Sequence, residues 1–197
     1  MKNNLKLKSL ASKVYLNAPV TVGFVILCLI VLGLDALTKQ KSTVTLFCVY
    51  RASLLNPLTY LRFFTHVLGH SSFSHLAGNA TLLLVLGPGL EQRYSSKGLI
   101  AAIAVTAFLS GLAEFIFFPN TMLLGASGIV FMMIILSSAT GNKNGAVPIT
   151  LILVFAIYVG RELIDAFTVS DNISQTAHII GGICGALIGL KLKPRAY

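Results

Sequence analysis

Acidic residues are scarce in this chain: six Asp and Glu stand against 15 Lys and Arg, and only 11% of its 197 residues carry charge. So little charge cannot keep a soluble surface hydrated, and it excludes a disordered, self-repelling chain as well. The three cysteines, Cys28, Cys48 and Cys184, form no even-numbered set, which argues against a disulfide framework; two lie in apolar runs and read as packing residues. Internal repeats and low-complexity tracts are absent, and so are the paired inverted halves or midplane-broken helices of a transporter. What fills the sequence instead is apolar residue: 55% is hydrophobic, gathered in blocks that a soluble core of this size has no use for.

A membrane crossing takes about 20 mostly apolar residues. Read on that scale, the blocks predict six helices near residues 17–37, 75–92, 99–118, 126–141, 147–167 and 174–192. The expected fold is therefore an all-α polytopic membrane protein. Residues 1–16 form a short basic tail, and 17–193 form one six-helix domain. The fourth helix is short enough that it must begin below the membrane surface. Between 38 and 74 runs one long connection carrying Phe47, Tyr50, Leu54, Leu55, Tyr60, Phe63, Phe64 and Phe73. So apolar a loop is expected to lie partly in the outer leaflet, with short helices of its own.

Placing the amino terminus inside puts Lys2, Lys6, Lys8, Lys13, Arg93, Lys97, Lys143, Lys191, Lys193 and Arg195 in the cytoplasm against Glu91 alone. The other face holds Lys39, Lys41, Arg51, Arg62 and Arg161 with Asp35, Glu114, Glu162, Asp165 and Asp171, so the whole formal +9 falls on one side. That is the positive-inside pattern, and both termini are expected in the cytoplasm. Lysines beside spans read as contacts with the lipid bilayer, not with nucleic acid. The first span lacks a small-x-small cleavage site and reads as a retained anchor.

Two polar motifs interrupt this background. Gly125-Ala126-Ser127-Gly128 opens the fourth span, and His178-Ile179-Ile180-Gly181-Gly182-Ile183-Cys184-Gly185 lies in the sixth, continuing to Gly189. Polar groups are costly in lipid unless they find partners, so each is a functional candidate by default. His178, Gly181 or Gly182, Gly185 and Gly189 recur every three to four residues and share a helix face that can approach another helix closely. If that face meets Gly125 and Gly128, His178 arrives beside Ser127, and a Ser–His dyad becomes possible. No acid in the sixth span can orient the imidazole. Phe131, one turn below Ser127, is the residue expected to stack on it. For the oxyanion of acyl transfer, His75 and Asn79 are four apart on one face and both can donate, with the Ser127 amide as a third donor.

Small residues at a span's start also have a plain use in helix packing. His66, His70 and His75 could be drawn as a metal site, but no HExxH or nearby ligating Asp accompanies them, and no metal is expected. Thr106, Ser110 and Glu114 form a polar stripe on the third span, either as glue between helices or, with His66, as a place that holds water near the dyad. Arg62 is expected to anchor the outer loop. Glu91 and Arg93 read as structural ties of the loop after the second span.

Taken in order, Arg62 with Phe63-Phe64-Thr65-His66, His75 and Asn79, Leu90-Glu91-Gln92-Arg93, Gly125-Ala126-Ser127-Gly128 and Ala177-His178-Ile179-Ile180-Gly181 resemble the rhomboid family of intramembrane serine proteases, in its six-helix bacterial form. The resemblance spans roughly residues 60 to 190. It implies Ser127 as nucleophile, His178 as base, and His75, Asn79 and the Ser127 amide as the oxyanion site. It further implies cleavage of single-pass membrane proteins at small residues near the outer face, after lateral access beside the fifth helix, without a cofactor, in a bacterial plasma membrane. Two positions depart from the family pattern: Leu61-Arg62 replaces Trp-Arg, in a chain with no tryptophan, and Phe131 replaces a Tyr that often stacks on the catalytic His. The contrasting expectation is a silent member of the same fold that binds membrane helices without cutting them.

Overall fold

Pro19 sits at the first helical position, where its missing N–H costs nothing, and starts helix α1, Pro19–Thr38. The computed structural model describes residues 15–139, 146–168 and 175–191. After α1 come the short helices α2, Lys41–Leu46, and α3, Pro57–Thr65, then a 3₁₀ turn at His66–Leu68. These occupy the long outer connection, as its apolar composition predicted. Asn56 caps α3 by accepting from Leu58 N–H at 3.0 Å, and Ser72 caps the next helix by accepting from His75 N–H at 3.1 Å. That helix, α4, runs Phe73–Phe117; it is followed by α5, Ser127–Ser138, α6, Ile149–Thr168, and α7, Gln175–Lys191.

The second and third expected spans are the two arms of α4, which meet at Ser95. Its φ of 69° and ψ of 159° break the helix there, and Ser95 Oγ accepts from Gly98 N–H at 3.2 Å to start the second arm. Glu91, just before the break, serves α1. Ala18, the residue before α1, offers no side-chain cap, and the Glu91 carboxylate accepts instead from the amides of Val20 and Thr21, from Thr21 Oγ1, and from Ser96 Oγ at 2.7 Å. Three charge-assisted bonds tie α1 to the α4 bend and the fourth, from Ser96, stays within the bend, so Glu91 is a structural tie between helices as well as within its own loop.

α5 stands at the centre. Ile129, Val130, Met132, Met133, Ile135 and Leu136 are all buried, and α5 and α7 are the most closely packed pair of helices. At two points contact is backbone to backbone: a Cβ added at Gly181 would collide with the carbonyl oxygen of Gly128 and one at Gly185 with that of Met132, while one at Gly189 would meet the Ala139 methyl. Gly182 faces Val159 of α6 instead, which settles which glycine shares the α5 seam.

The outward faces are apolar. Ile26, Leu27, Leu29 and Ile30 on α1 and Ile152, Leu153 and Ile157 on α6 are exposed, an inversion that only a hydrocarbon solvent tolerates. α1 and α4 are long and apolar enough to cross a bilayer. With every described regular element helical and a single isolated bridge, the fold is an all-α polytopic membrane bundle. The tail 1–14 and the charges Lys143, Asp171, Lys193 and Arg195 lie outside the described residues.

Candidate active site

α5 has 12 residues and is about 18 Å long, against a hydrocarbon core of about 30 Å. A helix this short does not span such a core, so at least one of its ends lies at membrane depth. Ser127 is its first residue. The loop before it is sewn to the outer connection at three points. Leu123 and Val49 exchange N–H to carbonyl bonds of 2.9 Å in both directions; Gly125 N–H donates to His66 O at 3.0 Å; Ala126 N–H donates to His70 Nε2 at 3.4 Å. Gly125 turns the chain with φ of 121°, a conformation that L side chains resist, and a Cβ there would press on the His75 imidazole, 2.9 Å from Cε1. Ala126 offers no side-chain cap, so the first-turn amides of α5 remain directed at the space before Ser127.

Packing of Gly128 against Ala177 O brings the next residue of α7, His178, to the Ser127 end of α5. The His178 ring stacks on Phe131 at 4.2 Å between centroids with the planes 6° apart, and Tyr158 of α6 meets Phe131 edge-on at 5.9 Å. His178 is buried and Ser127 half-buried. The Phe131 contact is the one that helical spacing predicted.

His75 borders the same space through its contact with the Gly125 backbone, and its Nδ1 lies 3.2 Å from Ser71 Oγ. Asn79, one turn on, is buried, with Nδ2 3.1 Å from His70 Nε2. Sequence pattern points to His70 only as a metal ligand and gives no signal at Ser71. Both are now seen to hold the two candidate donors. His70 is fully buried, places Nδ1 3.2 Å from Leu68 O, and sets its ring edge-on to His75 at 5.0 Å. Burial pushes its pKa down to about 4, so the ring is neutral above mildly acidic pH. Among the described residues no three His, Cys, Asp or Glu converge as metal ligands.

The polar stripe is buried, and two of its side chains are engaged locally. Ser110 Oγ donates back to Thr106 O at 2.8 Å, and Glu114 accepts from Thr121 Oγ1 at 2.6 Å. His66 packs on Gly111 and places Nε2 3.0 Å from Ala107 O; burial pulls its pKa down to about 4. Its Nδ1 and Thr106 Oγ1 have no protein hydrogen-bond partner among the described residues. Arg62 donates from Nε to Thr45 O at 2.8 Å and lies 4.5 Å over the Tyr50 ring, anchoring the outer connection as expected for it.

A membrane-embedded helical bundle with Ser127 and a stacked His178 at one interhelical junction, faced by His75 and Asn79, defines a class of protein. Residues 57–195 match the family described as Rhomboid domain, and the chain belongs to the rhomboid family. It is 33% identical over 158 residues to Rhomboid-related protein 2 of Mus musculus, an alignment covering 69% of this chain and 52% of that protein. It is 30% identical to Rhomboid-related protein 1 of Caenorhabditis elegans, covering 65% and 38%. To Rhomboid protease GlpG of Serratia proteamaculans (strain 568) it is 27% identical over 186 residues, covering 92% and 64%. The chain thus spans less than two thirds of the length of these relatives.

Proposed function

We propose that this protein is an intramembrane serine endopeptidase that hydrolyses peptide bonds in or near the transmembrane segments of single-pass membrane proteins. The observation that carries the reading is the convergence of Ser127, the Phe131-stacked His178, His75 and Asn79 on one junction between α4, α5 and α7. Family membership and the likeness to a protein named as a rhomboid protease support it.

Serine is a weak nucleophile until a base accepts its proton, and the His178 imidazole is the base at hand. Ser127 Oγ attacks the scissile carbonyl as its proton passes to His178. Negative charge then develops on the carbonyl oxygen, where His75, Asn79 and the Ser127 amide donate; each such donor is worth about 3 to 4 kcal/mol in the transition state. Collapse of the tetrahedral intermediate breaks the C–N bond as His178 returns the proton to the departing amine. Water then attacks the acyl-enzyme, losing its proton to His178, and the ester C–O bond breaks as His178 returns that proton to Ser127 Oγ, releasing the acid product. Gly125 and Gly128 allow the close approach, and Gly181 and Gly185 seat α7 on α5. His66, Thr106, Ser110 and Glu114 form the polar wall from which water reaches the dyad; His66 Nδ1 and Thr106 Oγ1 are two groups it would bond. No cofactor enters any step.

The topology proposed with this activity is six spans with both termini cytoplasmic, in a bacterial plasma membrane, on the charge asymmetry of the sequence. The test is a fluorophosphonate probe and a generic single-span substrate offered to detergent-solubilised protein, with S127A and H178A as controls. Labelling and cleavage by wild type alone support the reading. Folded wild type that neither labels nor cleaves overturns it, and leaves a rhomboid fold that binds membrane helices.

A further inference from the structure

His70 touches both halves of the site, since its Nε2 meets Asn79 Nδ2 at 3.1 Å and Ala126 N–H at 3.4 Å, while Nδ1 meets Leu68 O at 3.2 Å. A carbonyl oxygen only accepts and a backbone amide only donates, so two independent partners assign the same tautomer: the proton is on Nδ1 and Nε2 is a bare lone pair. Asn79 must then present its NH₂ group to His70. Were its carboxamide turned over, Oδ1 would face that lone pair.

We propose that His70 is a positioning residue for the oxyanion donors: its bare Nε2 locks the Asn79 carboxamide with nitrogen inward and holds the peptide before Ser127 in the same frame. The proposal rests on the serine-protease reading. Of the two Asn79 amide hydrogens, one is spent on His70 and the other is left for the oxyanion. Ala126 N–H shares the single lone pair, which accounts for its longer distance, and ties the chain entering α5 to the α4 helix that carries His75 and Asn79. Full burial protects this arrangement from competing water.

Without the bare nitrogen, Asn79 is free to turn over and aim its oxygen at a developing oxyanion, replacing attraction with repulsion. That loss falls in the transition state, so it lowers kcat and leaves KM near its original value.

The test uses the full chain in detergent. H70N keeps a donor in reach of Leu68 O but is too short to reach Asn79; H70Q restores an acceptor near the Nε2 position. The expected result with a single-span substrate is a fall in kcat of about 10- to 100-fold for H70N at unchanged KM, below the loss of about 10²- to 10³-fold for a whole donor. H70Q is expected within about fivefold of wild type, a rescue that follows from the acceptor restored opposite Asn79. Nitrogen NMR of ¹⁵N-histidine-labelled wild type, with the His70 signals identified by their loss in H70Q, is expected to show a protonated Nδ1 and a bare Nε2. This arm needs no activity and stands if H70N does not fold. An active wild type with H70N unchanged in kcat, or with its deficit in KM, overturns the role of His70 alone, and so does a proton found on Nε2. A folded wild type without activity overturns the protease reading, and the positioning role with it.

Discussion

Replacing Gly181 with alanine perturbs the junction at its tightest point. The added methyl would enter the space of the Gly128 carbonyl oxygen, which is backbone of α5 and cannot rotate aside. Restoring ordinary contact requires α7 to retreat by about 1 Å, and displacement of a catalytic group on that scale costs about 10²-fold in rate. Stability changes less. Overpacking costs about 1 to 3 kcal/mol, offset by about 1 kcal/mol of helix propensity gained when alanine replaces glycine. The assay is kcat/KM for a single-span substrate beside a thermal melt in the same detergent. Two further variants calibrate it. G182A presses on Val159 of α6, a side chain that can shift, and G78A meets nothing within 4 Å. The predicted order of activity is G78A near wild type, G182A reduced several-fold, and G181A about 10²-fold lower. A G181A enzyme within threefold of wild type would mean that the α5–α7 contact does not set the dyad.

E91Q keeps the shape of the α1 tie but removes its charge and one acceptor; unfolding stability should drop by about 1 to 3 kcal/mol with kcat of the folded fraction unchanged, as read by melting and active-site titration. F131L removes the ring under His178, and kcat should fall about tenfold with the Ser127 labelling rate falling in parallel; an unchanged labelling rate would dismiss the stack as an orienting contact. E114L should slow deacylation without unfolding the protein, because water loses a polar wall; unchanged turnover contradicts the water role. On the acid side, the folded His66 and His70 reject protons that the unfolded chain accepts. Their contribution is intact above the unfolded value of 6.5 and is lost as pH falls toward about 4, at up to about 3 kcal/mol for His66. Melting temperature should therefore decline from pH 7 to pH 4, and H66Q should shrink the decline.

Sequence periodicity sufficed for whatever repeats along a helix. The apolar blocks, a glycine face of Gly181 or Gly182 with Gly185 and Gly189, the Phe131 ring one turn below Ser127, and the His75 and Asn79 pair were all legible, because side chains three or four residues apart share a face whatever the rest of the chain does. Contacts between segments far apart in the chain were not. Nothing local marks His70 as the partner of Ala126 or Val49 as the strand-like mate of Leu123, since each of these bonds joins segments whose approach depends on how α4 and α5 pack. Whether Gly181 or Gly182 faces α5 required the rotation of α7, and the partners of Glu91 required α1 to be seated against the α4 bend. Helical repeats announce themselves in one dimension; the hydrogen bonds that place protons on His70 and Asn79 exist only once three helices and the outer connection have met.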